Sequence, residues 1–123
     1  MVKRACGATL TVMGLLALPS AAGAATSATV SIRALEGNGF DGYVKSSKRS
    51  CESGRKVILY KQKRSTRDRS SDTKIGTDIA QPNGPDSQWS VYTNRTGKFY
   101  AYATKTSSCY AAYSKTVRAV PAA

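Results

Sequence analysis

Asp68, Asp72, Asp78 and Asp86 fall within one short stretch of this 123-residue chain, and carboxylates at such spacing have two chemical uses. A pair could cleave a glycosidic bond as acid and base, and a run of them could hold calcium. Read as a calcium loop, Asp68–Asp78 lacks the Asp-x-Asp-x-Asp-Gly spacing and the closing glutamate, and Arg67, Arg69 and Lys74 crowd it. All four acids sit in or beside polar, loop-forming sequence, without the burial that tunes a carboxyl for proton transfer. They read as solubilising residues. Other catalytic chemistry lacks its parts. The chain has no histidine, which removes the commonest general base, the partner of a nucleophilic serine and the commonest zinc ligand. No serine occupies a Gly-x-Ser-x-Gly elbow. The expectation is a non-catalytic domain with no cofactor and no metal.

Binding chemistry is better supplied. Lysine and arginine number 19 against 7 acidic residues, for a net charge of +12. Such a surface attracts polyanions at long range and repels its own copies, so a monomer is expected. The densest cluster is Arg55, Lys56, Lys61, Lys63, Arg64, Arg67 and Arg69, opposed locally by Asp68. If the polar run Lys61 to Asp72 is a hairpin loop, it projects this charge from one end of the domain. Tyr100 and Tyr102 alternate with Phe99, Ala101 and Ala103, which puts both tyrosines on the outer face of one strand. Tyrosine beside a cation can stack on sugar rings or bases while the cation holds phosphate. The plainer alternatives stay open: a solvated loop, and a strand face that favours tyrosine by β-propensity.

The first residues read as an export leader. Lys3 and Arg4 precede an apolar stretch, Val12 to Leu18, and Pro19-Ser20 leads into Ala22-Gly23-Ala24. That is the basic, apolar, small-residue order of a secretory signal peptide, with cleavage expected after Ala24. The apolar part is shorter than the ~20 residues of a membrane-spanning helix. Residues 1–24 are thus expected to be removed, and residues 25–123 to form one secreted domain with its core at about 29–120. No transmembrane segment remains after processing, so retention at the cell envelope would be non-covalent. Of three cysteines, Cys6 leaves with the leader, and Cys51 and Cys109 remain as an even pair in an oxidising compartment. One structural bridge is the economical inference. Closing so long a loop stabilises a fold by roughly 4 kcal/mol in the chain-entropy model.

Period-two alternation between turn residues sets out the elements. Val30 and Ile32 mark a first strand and Phe40, Gly42 and Val44 a second, with the turn Glu36-Gly37-Asn38-Gly39 between them. Val57 and Leu59 make a third after Glu52-Ser53-Gly54, and Lys74–Asp78 a short fourth. Trp89 and Val91 mark a fifth, Phe99, Ala101 and Ala103 a sixth, and Thr116–Val120 a seventh. No helical stripe follows the leader. The expected fold is all-β, a seven-stranded antiparallel sandwich of the Ig-like or prealbumin-like kind. Val30, Ile32, Val44, Val57, Leu59, Ile75, Trp89, Val91, Phe99, Ala101 and Val117 should face inward, with small Gly42 and Ala101 opposite bulky Trp89 to let the sheets approach. Trp89 invites a sugar-stacking role, but its size suits the core's largest filler.

The series Phe40-x-Gly42-x-Val44, Cys51, Gly54-Arg55-x-Val57-x-Leu59, Ile75-Gly76, Trp89, Gly97-x-Phe99-x-Ala101, Cys109 and Ser114 resembles a group of small secreted, mostly actinobacterial proteins. Those are similar in turn to transthyretin-like and carboxypeptidase-regulatory-like β-sandwich domains. The resemblance spans about Ile32 to Val120 and implies a fold and a stalk, adhesion or appended-module role, without an active site to transfer. The leading expectation is a secreted or envelope-associated module that binds anionic glycopolymers such as wall teichoic acids. A cationic effector directed at nucleic acid or membranes ranks lower, since no RNA-binding signature or basic amphipathic helix is visible. A small hydrolase or enzyme inhibitor is the third reading. The sequon Asn94-Arg95-Thr96 matters only in a eukaryotic secretory route, and the alanine-rich leader points to a bacterium.

Overall fold

A computed structural model describes residues 24–120. The expected leader, with Cys6, lies outside the described residues apart from Ala24. The described chain is all-β and forms two antiparallel sheets. Its strands are β1 (Ala28–Val30), β2 (Arg33–Ala34), β3 (Phe40–Ser46), β4 (Lys56–Gln62), β5 (Thr73–Ile79), β6 (Gln81–Asn83), β7 (Asp86–Val91), β8 (Lys98–Ala103), β9 (Ala112–Tyr113) and β10 (Val117–Arg118). The first sheet has the order β1-β3-β7-β6 with β2 also on β3, and the second has β10-β8-β4-β5 with β9 also on β8. No helix among the described residues is long and apolar enough to cross a membrane.

Alternation in the longer strands puts their apolar residues between the sheets. Phe40 and Val44 of β3, Trp89 and Val91 of β7, Val57 and Leu59 of β4, and Phe99, Ala101 and Ala103 of β8 form one buried cluster with Val30, Ile32 and Ala80. Ile75 and Val117 pack against it partly buried. Each large aliphatic or aromatic side chain withdrawn this way contributes about 1.5–3 kcal/mol. The Phe40 and Phe99 rings meet across the sheets at 4.6 Å. Trp89 is wholly buried as core filler, and its indole N–H donates to the Ser31 carbonyl at 3.1 Å.

Where the strands are short, the sequence pattern and the structure part company. The single first strand expected around Val30 and Ile32 is split, since the chain turns in at Ser31 and Ile32 before β2 resumes the same register on β3 (Ala28 opposite Ser46, Arg33 opposite Asp41). β6 and β9 were not expected, because Gln81-Pro82-Asn83 and Ala112-Tyr113 carry no apolar alternation. Gly42 does not sit opposite Trp89 across the sandwich. The two are neighbours in one sheet, and a Cβ on Gly42 would collide with the Ser31 carbonyl oxygen and crowd Trp89 Nε1. Glycine there is what admits the inward turn and the indole hydrogen bond.

Cys51 and Cys109 are bonded, with Cα atoms 5.6 Å apart. Rather than two strand ends, the bridge joins two connections. Cys51 closes a 3-10 turn, Arg49–Cys51, on the way from β3 in one sheet to β4 in the other. Cys109 lies beyond β8, bridged to Thr26.

Candidate polyanion-binding surface

The expected cluster of cations divides into three. Arg55 is a correction, since it is only 2% exposed. Its guanidinium donates to the carbonyls of Cys51, Thr104 and Tyr110, each at 2.9 Å, and burial lowers its pKa. Nε alone has no partner. Arg55 therefore pins both disulfide-linked connections to the base of β4, and it is withdrawn from the surface. Lys56 is exposed but lies at the opposite end of β4 from the loop, roughly 20 Å away at strand rise. The third group runs from Lys61, which shares the side of β4 that carries Val57 and Leu59 and ends near Gly97, into the loop, where Lys63, Arg64, Arg67 and Arg69 are brought together.

The hairpin loop between β4 and β5 exists, but it does not project from the end of the domain. It folds back as a flap over the outer face of β8 and β4. Asp72 organises it. One carboxylate oxygen accepts the Lys63 N–H at 3.0 Å, and the other accepts the Asp68 N–H at 2.8 Å and the Tyr100 hydroxyl at 2.6 Å. Asp68 in turn accepts from the N–H and hydroxyl of Ser70 and the hydroxyl of Ser71. Short polar side chains that bond their own backbone two residues on are the usual makers of such turns. Burial opposes the charge on Asp72, yet the bonds from Tyr100, Asp68 and Lys63 prevail and its pKa falls. The Tyr100 phenol is pushed upward, first by burial and then by its bond to Asp72.

Beneath the flap, Ile58, Tyr60, Tyr100 and Tyr102 form a second buried cluster, separate from the core between the sheets. Tyr100 and Tyr102 face outward as alternation requires, but they are covered, Tyr100 completely. They are thus not open stacking platforms, and this corrects the sequence expectation. Their partners are the protein's own cations. The Arg69 guanidinium carbon lies 4.0 Å from the Tyr102 ring centre, and that of Arg67 lies 4.4 Å from Tyr113's. Arg67 also donates to the Ser114 carbonyl at 2.7 Å, and Arg69 to the Tyr113 hydroxyl at 2.7 Å. Cation–π contact at partly exposed sites is worth about 0.5–1 kcal/mol each.

With Arg67 and Arg69 held by one side of their guanidinium groups, Lys63 and Arg64 stand exposed on the flap. Lys98, which sequence reasoning passed over, joins them by donating to the Arg64 carbonyl at 3.2 Å. Nothing near Lys98 in the chain signals this, because the contact follows from the register of Gln62 with Lys98 across β4 and β8. An open groove of about 540 Å³ lies between flap and sheet, lined by Gln62, Ser65, Thr66, Arg67, Lys98 and Thr116. Its polar wall presents cations and hydroxyls and no carboxylate. The Gln62 side chain, bonded to the Arg64 carbonyl and the Thr116 hydroxyl, each at 2.8 Å, fixes the floor. Both lining cations are anchored on backbone carbonyls, Arg67 on that of Ser114 and Lys98 on that of Arg64.

No protein-family model, curated protein or solved structure matches this chain.

Proposed function

We propose that this chain is an exported, non-catalytic β-sandwich module whose basic flap engages anionic polymers of the cell envelope, such as phosphodiester-linked wall glycopolymers. The observation that carries the reading is the flap. Arg67 and Lys98 line one open groove whose lining includes no acid, and the exposed Lys63 and Arg64 stand on the same flap, Arg64 loosely paired with Asp68. Fixed cations lose little conformational freedom when a polymer arrives, and net positive charge steers anions toward them. The leader expected from the sequence, the disulfide and the absence of histidine fit an exported, catalytically silent domain.

We also read the fold as a seven-pass, immunoglobulin-type or transthyretin-type sandwich. β1 and β2 share one register on β3, β5 runs on into β6 as the chain changes sheets, and β9 and β10 lie along β8. Grouped in this way, the passes order as first-second-fifth-fourth in one sheet and seventh-sixth-third-fourth in the other, the fourth pass contributing to both, an order close to that of an Ig-like Greek key.

Purified mature protein added to isolated envelopes provides the test. Retention at low salt with release at moderate salt is the expected result. The combined variant Lys63→Ala, Arg64→Ala, Lys98→Ala should elute at lower salt with an unchanged melting temperature, while Lys105→Ala, outside the groove, should elute like the parent. Failure to bind at low salt, or equal elution of all three proteins, rejects the reading.

A further inference from the structure

The outer face of the first sheet has a different chemistry from the flap. A groove of about 420 Å³ crosses it, and its lining includes Asp41, Gln81, Asn83, Gln88, Ser90 and Tyr92. The planar side chains are already held in a chain of contacts. Asn83 Nδ2 donates to Gln88 Oε1 at 2.6 Å, and Gln88 Nε2 reaches Asp41 Oδ2 at 3.5 Å. Arg33 clamps Asp41 from the other side through bonds of 3.0 and 2.8 Å. Tyr92, just past the end of β7, is 77% exposed, the most open of the large apolar side chains among the described residues.

We infer that this groove binds an uncharged sugar chain, with Tyr92 as the platform for one ring and the amides of Gln81, Asn83 and Gln88 on its hydroxyls. The charge pattern selects the ligand. Two carboxylates line the groove: Asp41 is matched by Arg33, and the oxygens of Asp78 accept the N–H groups of Ile79 and Ser90. The groove thus offers an anion no free cation, and its carboxylates, each already engaged, offer a cation little. What remains are amide and hydroxyl groups that both donate and accept, the match for vicinal hydroxyls. The exposed aromatic ring supplies an apolar face with a polar tip for a pyranose to cover. Because the Asn83–Gln88–Asp41 chain is ordered before any ligand arrives, binding costs little in side-chain freedom. A peptide adding as a strand is disfavoured, since β6 forms this edge and Pro82 within it has no N–H to offer. The inference is independent of the polyanion reading, which concerns the other sheet.

The test is an amide NMR titration of the mature protein with uncharged tetrasaccharides of β-1,4-glucose, β-1,4-N-acetylglucosamine and α-1,4-glucose, with tetra-alanine as comparator. Each is taken to about 10 mM, enough to fill a site of millimolar dissociation constant. At least one sugar should give saturable shifts confined to residues 81–92 and the Asp41 region. Tyr92→Ala and Gln81→Ala, both at exposed positions, should each weaken binding, the tyrosine variant by about tenfold or more, with folding unchanged. Lys63→Ala should leave it intact. Absence of shifts with all three sugars, stronger shifts with the peptide, or full binding by Tyr92→Ala would overturn the inference.

Discussion

Strand β8 buries both of its faces, and the two covers are of different kinds. Phe99, Ala101 and Ala103 look inward onto Phe40, Val44 and Trp89 of the facing sheet. Tyr100 and Tyr102 look outward onto a flap that brings arginine faces and one carboxylate, with Tyr113 of β9 packed beside it. The inner cover is apolar surface against apolar surface, which stabilises in proportion to area and has no charge to titrate or to screen. The outer cover is built from charges and hydrogen bonds, each worth something only while its partner keeps its protonation state. The sandwich therefore has a core that holds the fold and an annex that holds the basic loop in shape. Only the annex should respond to protonation and to charge screening.

The contrast breaks most visibly through the core. Phe99→Ala removes a fully buried ring packed at a tilt against Phe40 and should lower unfolding free energy by about 3–5 kcal/mol. In urea titrations that loss should be the same at acid and at neutral pH. A loss that shrinks as pH falls would mean the two faces are not energetically separate. Next comes the covalent staple. Replacing Cys51 and Cys109 together with alanine should cost about 2–5 kcal/mol, read from the same titrations. Because the bond joins connections at one end of the sandwich, amide exchange should quicken around residues 49–55 and 104–111 before it does in the flap. Faster exchange in the flap first would place the staple in the annex instead of the core.

What the sequence discloses follows the same division. Alternation over long strands is a local property, so β3, β4, β5 and β8 and the inward set from Val30 to Val117 could be read directly, as could the pairing of the last two cysteines. The annex depends on segments far apart in the chain. Nothing local to Tyr100 says that residues 63–72 will fold over it, so its outward direction was legible and its burial was not. Arg55 was misread for the same reason. It stands in a basic run beside Lys56, and only the return of Thr104 and Tyr110 to its side makes it internal. Asp72 looked like a solubilising acid, although Asp68-Arg69-Ser70-Ser71 held a legible hint of a self-bonded turn. The position of Lys98 beside Arg64 follows from strand register alone.

Removing the hydroxyl that joins flap to strand sharpens the comparison at intermediate cost. Tyr100→Phe deletes the bond to Asp72, a hydrogen bond to a charged group worth about 1.5–3 kcal/mol near neutral pH. The pH dependence has two limbs. Asp72 has a depressed pKa in the folded protein, so its contribution is present above the ordinary carboxylate value of 3.8 and is lost as pH falls through the lower folded value. Tyr100 has a raised pKa, so its contribution is complete below the ordinary phenol value of 10.0 and is lost as pH climbs beyond it toward the folded value. The parent should therefore lose stability in strong acid and in strong alkali relative to Tyr100→Phe, and the two curves should converge at both ends. A constant gap across pH would show that packing, not the charged bond, holds the flap.

The smallest effect isolates one cation. Arg69→Ala takes a guanidinium from the Tyr102 face and from the Tyr113 hydroxyl, at a site exposed enough that about 0.5–1 kcal/mol is the expected loss. A melting curve would barely register it. Local opening reads it better, because a flap held by fewer contacts samples its open state more often while global unfolding stays nearly fixed. Amide exchange in residues 65–72 should rise several-fold by roughly that energy, and tyrosine fluorescence should show Tyr102 becoming accessible to an iodide quencher. Arg69→Lys, which keeps the charge and loses the planar face, should fall between parent and alanine. If lysine restores full protection, simple charge suffices and the stacked geometry contributes nothing.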